Sequence, residues 1–173
     1  MAQYNTPQAI RPLEKLVCDF AYSNGYDPIS VFNDFLRYVI HGFSPGAPPL
    51  MDWKYKRQQN RHFMEMLVGW IRLMQRELQS GEWFDSFGDL FMAISSKSGR
   101  QVNGQFFTPP HICDLMVLCT DTGEKTTGKR ISDPTCGSGR LLLAYHVRHP
   151  GNYLVAEDIS RTCCLMTCLL YTS

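Results

Sequence analysis

The sequence predicts an α/β chain in two parts: a helical region over residues 1–98, then the opening of a parallel α/β sheet over residues 99–173. Three observations carry this reading. Four stretches before residue 97 repeat apolar residues at helical spacing, with no alternating strand pattern between them. A polar, glycine-containing segment follows, Lys97-Ser-Gly-Arg-Gln-Val-Asn-Gly104, and after it short apolar runs alternate with helical ones. Within that second part, Ile131-Ser-Asp-Pro-Thr-Cys-Gly-Ser-Gly-Arg140 joins a short apolar run to the helical run Leu141-Leu-Leu-Ala-Tyr145 through a glycine turn. Strand, glycine turn, helix is the arrangement that holds nucleotide-type ligands in open α/β sheets.

Taken in order, residues 1–8 read as disordered. Ile10, Leu13, Val17 and Phe20 fall on one helical face, with Pro12 in the first turn. Asp27-Pro28 is an N-cap followed by proline at N1, and Val31, Phe32, Phe35, Leu36 and Val39 are the buried stripe of that second helix. Gly42 to Pro49 is a loop, and Trp53-Lys-Tyr-Lys-Arg57 is aromatic and basic. The latter could touch a DNA backbone, but an ordinary solvated segment is the preferred reading. The third helix, roughly Gln58 to Gln79, carries Phe63, Leu67, Trp70, Ile71, Met74 and Leu78 on one side and ends at Ser80-Gly81. The fourth carries Phe87, Leu90, Phe91 and Ile94. These four helices predict a small helical bundle.

In the second part, Thr108 is the expected cap of a helix starting at Pro109, with Ile112, Leu115, Met116 and Cys119 as its apolar face. Asp121 to Gly128 reads as a loop, 130–133 as a strand and 138–148 as a helix. A turn at His149-Pro-Gly-Asn152 leads to a strand over 153–157 and a last helix from Ser160, with Cys164, Leu165 and Cys168 facing inward.

Bulk properties bound the function. Hydrophobic residues make up 44% and charged ones 19%, a globular composition. A net charge of +1 is too balanced to hold nucleic acid by charge alone. No stretch is apolar enough to span a bilayer, and Met-Ala-Gln-Tyr-Asn lacks the basic and apolar regions of a signal peptide. The seven cysteines include no Cys-x-x-Cys, and they sit in apolar runs where a free thiol behaves as a small hydrophobe. The expected compartment is a reducing cytoplasm. The five histidines form no ligand spacing with each other or with cysteines, so no metal is expected.

The glycine turn is where chemistry is expected. Gly137 and Gly139 allow a tight turn and close approach of a ligand, and Ser138 is placed to cap the helix that follows. The spacing is neither Gly-x-Gly-x-x-Gly nor a phosphate loop, which disfavours a diphosphate ligand. Tyr153-Leu-Val-Ala-Glu-Asp-Ile-Ser160 ends in acids about 20 residues after the glycines, where a carboxylate meets ribose hydroxyls in a nucleotide-binding βαβ unit. Cys136 reads as packing rather than as a nucleophile.

Asp133-Pro-Thr-Cys-Gly-Ser-Gly139 resembles motif I of the S-adenosylmethionine-dependent DNA adenine-N6 methyltransferases, most closely the M subunits of type I restriction-modification systems and their phage or mobile-element relatives. Gly104-Gln-Phe-Phe-Thr-Pro109 resembles motif X of the same enzymes, and Phe87-Gly-Asp-Leu-Phe91 resembles the run that leads into it. The resemblance implies a Rossmann-like methyltransferase fold, of which this chain holds the first half, with S-adenosyl-L-methionine as cofactor. It implies cofactor contacts at Gln105, Phe107, Thr108, Pro109, Asp133, Pro134, Thr135, Gly137, Ser138, Gly139, Asp158 and Ile159. Against the family pattern Gly-x-Glu/Asp-Ile-Asp/Asn, Asp158 is the ribose acid; Ala156 replaces the glycine and Ser160 the second polar residue. A register shift of one would give the role to Glu157. The implied partners are double-stranded DNA and the specificity and restriction subunits, with no membrane.

The Asn/Asp-Pro-Pro-Phe/Tyr that meets the target adenine in such enzymes does not occur here. The two Pro-Pro pairs, Ala47-Pro-Pro-Leu50 and Thr108-Pro-Pro-His111, do not fit it. The resemblance therefore assigns no catalytic residue, and the chain by itself is expected to be inactive. Cys168-Leu-Leu-Tyr-Thr-Ser173 is what TGT-CTC-TTA-TAC-ACA-TCT encodes, the end of a transposon used in preparing sequencing libraries. The native frame is expected to diverge near Cys168 and to supply that tetrapeptide at the end of a later strand. Two rival readings stand beside this one: a methyltransferase for a protein or small molecule, and a non-enzymatic partner-binding module.

Overall fold

The computed structural model describes residues 6–46, 54–79, 81–97, 106–121, 123 and 127–170. The chain divides into two compact units, residues 1–104 and 105–173. In the first, α1 (Arg11–Ser23), α2 (Pro28–Gly42), α3 (Asn60–Leu78) and α4 (Ser86–Lys97) share one apolar core. The face expected of α1, Ile10, Leu13, Val17 and Phe20, is buried. So is the whole expected stripe of α2. The Asp27 carboxylate accepts a hydrogen bond from the Ser30 N–H at 3.0 Å, closing the first turn of α2 with Pro28 at N1. Phe87, Leu90, Phe91 and Ile94 bury the inner side of α4. Trp70 of α3 stacks on Phe87, with ring centroids 5.0 Å apart, and its indole N–H donates to Ser86 Oγ.

Two expectations for this unit are corrected. On α3 the buried residues are Phe63, Met66, Trp70 and Leu73; Leu67 and Met74 are half-buried, while Ile71 and Leu78 are exposed. Two apolar stripes run side by side on this helix. Met66 and Leu73 flank Trp70 on one side and Leu67 and Met74 on the other, at equal angles, so spacing alone does not choose between them; Met66 and Leu73 are the pair that is buried. Lys97 is not linker but the last residue of α4. Its ammonium lies 2.7 Å from the buried Glu14 carboxylate of α1, which raises the lysine pKa. The remaining linker residues, 98–104, lie outside the described residues, as do Trp53 and residues 1–5 of the stretch 1–8 expected to be disordered. Within 6–8, Thr6 and Pro7 are half-buried and the Pro7 carbonyl accepts from the Ile10 N–H at 3.1 Å.

Lys54, in the aromatic and basic segment, is engaged within the unit. Its ammonium bonds Asp34 Oδ2 and Ser30 Oγ, each at 2.7 Å, and lies over the rings of Tyr26 and Tyr55.

The second unit runs α5 (Pro110–Thr120), β1 (Arg130–Asp133), α6 (Arg140–Arg148), β2 (Tyr153–Ala156) and α7 (Arg161–Leu170), the order the sequence predicts. β1 and β2 pair in parallel, Arg130 opposite Tyr153 through Asp133 opposite Ala156. The chain between them turns at Gly151, and Asn152 ties the turn by donating to the His149 carbonyl and accepting from the Lys129 N–H.

The faces of both flanking helices depart from expectation. On α5 the buried residues are Cys113 and Val117, while Ile112, Leu115, Met116 and Cys119 are exposed. The helix is apolar on every side, so spacing selects no face; contact with α6 does. On α7, Cys163, Met166, Thr167 and Leu169 are buried, Leu165 is half-buried, and Cys164 and Cys168 are exposed. Residues 168–170 continue α7, and 171–173 lie outside the described residues.

Removing the cap of α2 tests the local reading. Asp27→Ala is expected to destabilise the chain by about 1 kcal/mol in denaturant unfolding; an unchanged midpoint would show that Pro28 and packing suffice without the carboxylate.

Candidate functional site

The site is built at the C-terminal ends of the two strands. β1 ends at Asp133, whose Oδ1 accepts from the Thr135 N–H at 3.0 Å, an Asx turn that bends the chain directly after the strand. Pro134 and Thr135 are exposed on that bend. The two strands remain joined past their last paired residues: Glu157 N–H donates to the Asp133 carbonyl and Cys136 N–H to the Glu157 carbonyl, both at 2.9 Å. The turn then closes on itself, with Gly139 N–H donating to the Cys136 carbonyl at 2.8 Å.

Gly137 is the centre of the arrangement. Its φ of +56° is a left-handed conformation, and a Cβ there would lie 3.1 Å from Cδ1 of Phe107. Its N–H donates to Asp158 Oδ2 at 2.9 Å, and its carbonyl accepts from the Thr167 hydroxyl at 3.1 Å. Asp158 also accepts from the Ser160 N–H through Oδ1 at 2.7 Å. A carboxylate has about four lone-pair sites, so each oxygen of Asp158 retains acceptor capacity beyond these two bonds. Asp158, not Glu157, is the acid brought to the glycine turn; Glu157 is exposed, and its side chain has no partner among the described residues. Ile159, next in sequence, is completely exposed.

The segment before α5 reaches the same place. Phe107 covers Gly137, and Arg140, at the first position of α6 and buried, holds that segment: its guanidinium lies 5.7 Å from the Phe107 ring centroid and donates to the Thr108 carbonyl at 3.4 Å. Thr108 and Pro109 are exposed. Gln105 lies outside the described residues.

The two expected caps are not formed. α5 begins at Pro110, so Pro109 occupies the N-cap and Thr108 stands one residue too early. α6 begins at Arg140 with Gly139, φ +93°, at its N-cap, which leaves the buried Ser138 outside the capping position. No side chain caps either N-terminus. The carbonyl ends of β1 and β2 and the N-termini of α5 and α6 therefore belong to one small unit, with Asp158 and Phe107 both against Gly137.

Sequence reasoning placed no role on Arg140 or Thr167. A threonine inside an otherwise apolar helical run, Cys163-Cys-Leu-Met-Thr-Cys-Leu-Leu170, is a readable signal, since a buried hydroxyl needs a partner. Burial raises the Cys136 thiol, opposed by its hydrogen bond with Thr167 and reinforced by the carboxylates of Asp158 and Asp133. Cys163 is pushed up to about 11, chiefly by burial. All seven cysteines are free thiols. Among the described residues no group of three or more His, Cys, Asp or Glu is placed to hold a metal ion, and no helix is long and apolar enough to cross a membrane.

Residues 83–154 match the family model of the N-6 DNA methylases. The matched segment covers a little under half of the chain, including α4, Phe107, Thr108 and the whole glycine turn, and it ends before Asp158. Over this segment the chain is similar to an adenine-N6 DNA methyltransferase, which points to methyltransferase activity. No curated protein and no solved structure gives a significant match.

The thiols give a direct check on the geometry. In the native chain at pH 7.5, the exposed Cys119 and Cys164 are expected to alkylate with iodoacetamide, while Cys136 and Cys163 stay unmodified until the chain is unfolded. Mass mapping that finds Cys136 labelled as fast as Cys119 would mean the glycine turn is open.

Proposed function

We propose that this chain carries the cofactor-binding part of an S-adenosylmethionine-dependent DNA adenine-N6 methyltransferase of restriction-modification type, on a Rossmann-like fold. The observation that carries the reading is the convergence on Gly137 of Asp158, at its N–H, and Phe107, against its α-carbon, from three separate stretches of sequence. It is supported by the match of residues 83–154 to the N-6 DNA methylases.

The residues present fit the cofactor. Asp158 is held by the Gly137 and Ser160 N–H groups, so its carboxylate is fixed before any ligand arrives, and its remaining lone pairs suit a vicinal diol such as that of ribose. Gly137 has no side chain to block close approach. Phe107 supplies an apolar wall that excludes water from a sulfonium or thioether. The Thr108 hydroxyl, which has no bond among the described residues, and the uncapped start of α5 suit a carboxylate. Ile159 offers an apolar surface to a base ring. The cofactor brings an already activated methyl group, so these residues have only to bind, orient and dehydrate. Gln105, Pro109, Asp133, Pro134, Thr135, Ser138 and Gly139 complete the proposed contact set. In this reading the protein works in the cytoplasm on double-stranded DNA, with specificity and restriction subunits as partners.

Titration calorimetry with S-adenosylmethionine tests the reading. Gly137→Val is expected to abolish binding, because the new side chain meets Phe107 and the backbone is strained at φ +56°. Asp158→Ala should weaken binding by about 1–3 kcal/mol, the loss of a charged acceptor, and Glu157→Ala should leave it unchanged. Full-affinity binding by a folded Gly137→Val variant would overturn the site; a large effect at Glu157 with none at Asp158 would move the ribose acid by one residue.

A further inference from the structure

We infer that Thr167 is a positioning residue for the glycine turn, setting the Gly137 peptide so that Asp158 and the turn present one preformed surface to the ligand. Thr167 lies in the middle of α7, 30 residues beyond the glycine it touches, and only 2% of its surface is exposed. A threonine buried in a helix is an awkward choice on propensity alone, since a β-branched side chain lowers helix stability and its hydroxyl must be satisfied. Here both branches are used on the turn. The hydroxyl donates to the Gly137 carbonyl at 3.1 Å and lies 3.5 Å from Cys136 Sγ. The methyl group packs on Gly139 so closely that a Cβ at that glycine would lie 3.0 Å from Cγ2.

The consequence follows from the peptide geometry. A glycine turn can flip its peptide planes cheaply, since no side chain restricts φ and ψ. The N–H of Gly137 is held by Asp158 and its carbonyl by Thr167, so both flanking peptide planes are fixed, one from the end of β2 and one from α7. Losing the Thr167 bond leaves the Gly137 carbonyl with the weak thiol contact from Cys136 at 3.7 Å, which loosens the 137–138 peptide while leaving the Asp158 bond available. The turn would then sample other orientations, and a ligand would have to select the competent one, which lowers apparent affinity by the fraction of time that orientation is populated. The hydroxyl is the part that no apolar residue of the same shape replaces.

This rests on the cofactor reading for its ligand arm but not for its structural arm. Thr167→Val keeps the volume and the methyl contact and removes the hydroxyl; Thr167→Ser keeps the hydroxyl and removes a methyl. In the unliganded chain, amide hydrogen exchange at Gly137 and Ser138 is expected to rise severalfold in Thr167→Val and to stay near wild type in Thr167→Ser. With S-adenosylmethionine as the probe, Thr167→Val is expected to bind about tenfold more weakly, as for one lost hydrogen bond of about 1.4 kcal/mol, with Thr167→Ser restoring most of the affinity. Melting temperatures serve as the control for folding. Unchanged exchange and affinity in a folded Thr167→Val variant would overturn the inference, as would a Thr167→Ser variant as impaired as Thr167→Val. Absence of any S-adenosylmethionine binding by wild type, alongside the expected exchange pattern, would overturn the cofactor reading and leave the positioning role standing.

Discussion

The second unit depends on how one glycine peptide is held. Gly137 has a conformation that side-chain-bearing residues rarely adopt, its α-carbon lies against Phe107, and its two polar groups are taken by Asp158 and Thr167. Each partner comes from a different element: the segment before α5, the end of β2 and the middle of α7. A two-stranded parallel sheet is a weak scaffold by itself, because parallel strands are normally covered on both faces and flanked by further strands. The hydrogen bonds that run past the paired residues, Glu157 to Asp133 and Cys136 to Glu157, extend the pairing into the turn and make the strands and the site one continuous network.

The elements themselves were readable. Strand 130–133 coincides with β1, and the other segments begin and end within a few residues of their expected positions. Asp27-Pro28 marked the start of α2 because a carboxylate and a proline each satisfy a need of the first helical turn independently of tertiary context. The three sequence blocks expected to form a site come together as far as Phe107, Gly137 and Asp158 are concerned. That part was legible because a glycine turn after a strand and an acid at the next strand end are tied by the βαβ geometry, whatever else surrounds them.

The faces of helices were not readable where apolar residues wrap the whole circumference. On α3 two stripes flank Trp70 symmetrically, so spacing does not choose between them. On α5 seven of the eight residues from Ile112 to Cys119 are apolar or cysteine, so periodicity carries almost no information. On α7 the expected face, Cys164, Leu165 and Cys168, lies on nearly the opposite side of the helix from the buried one. The difference is set by Thr167, whose hydroxyl is drawn to the Gly137 carbonyl and turns Cys163 and Met166 inward with it. Capping failed for a related reason. Ser138 and Thr108 are good cap residues one position removed from where the helices begin, and the helix start is fixed by Gly139 and Pro110. Propensity names the residue type, but a shift of one residue changes its role entirely.

The same packing settles the chemistry of the cysteine in the turn. Cys136 lies between Asp133 and Gly137, where a thiolate would be a strong nucleophile beside whatever ligand the turn holds. A thiolate there would attack any electrophilic carbon held at the turn. Three features act on the thiol at once. Burial disfavours the anion, and the carboxylates of Asp158 and Asp133 add like-charge repulsion, while the Thr167 hydrogen bond works in the opposite direction. The net direction is upward, so the sulfur stays protonated at neutral pH and serves as a small apolar group under the turn. Asp158 thus has two effects from one position: it holds the Gly137 N–H, and its charge helps keep the neighbouring sulfur neutral. A neutral residue at 158 would loosen the turn and remove part of what holds the thiol in its unreactive form.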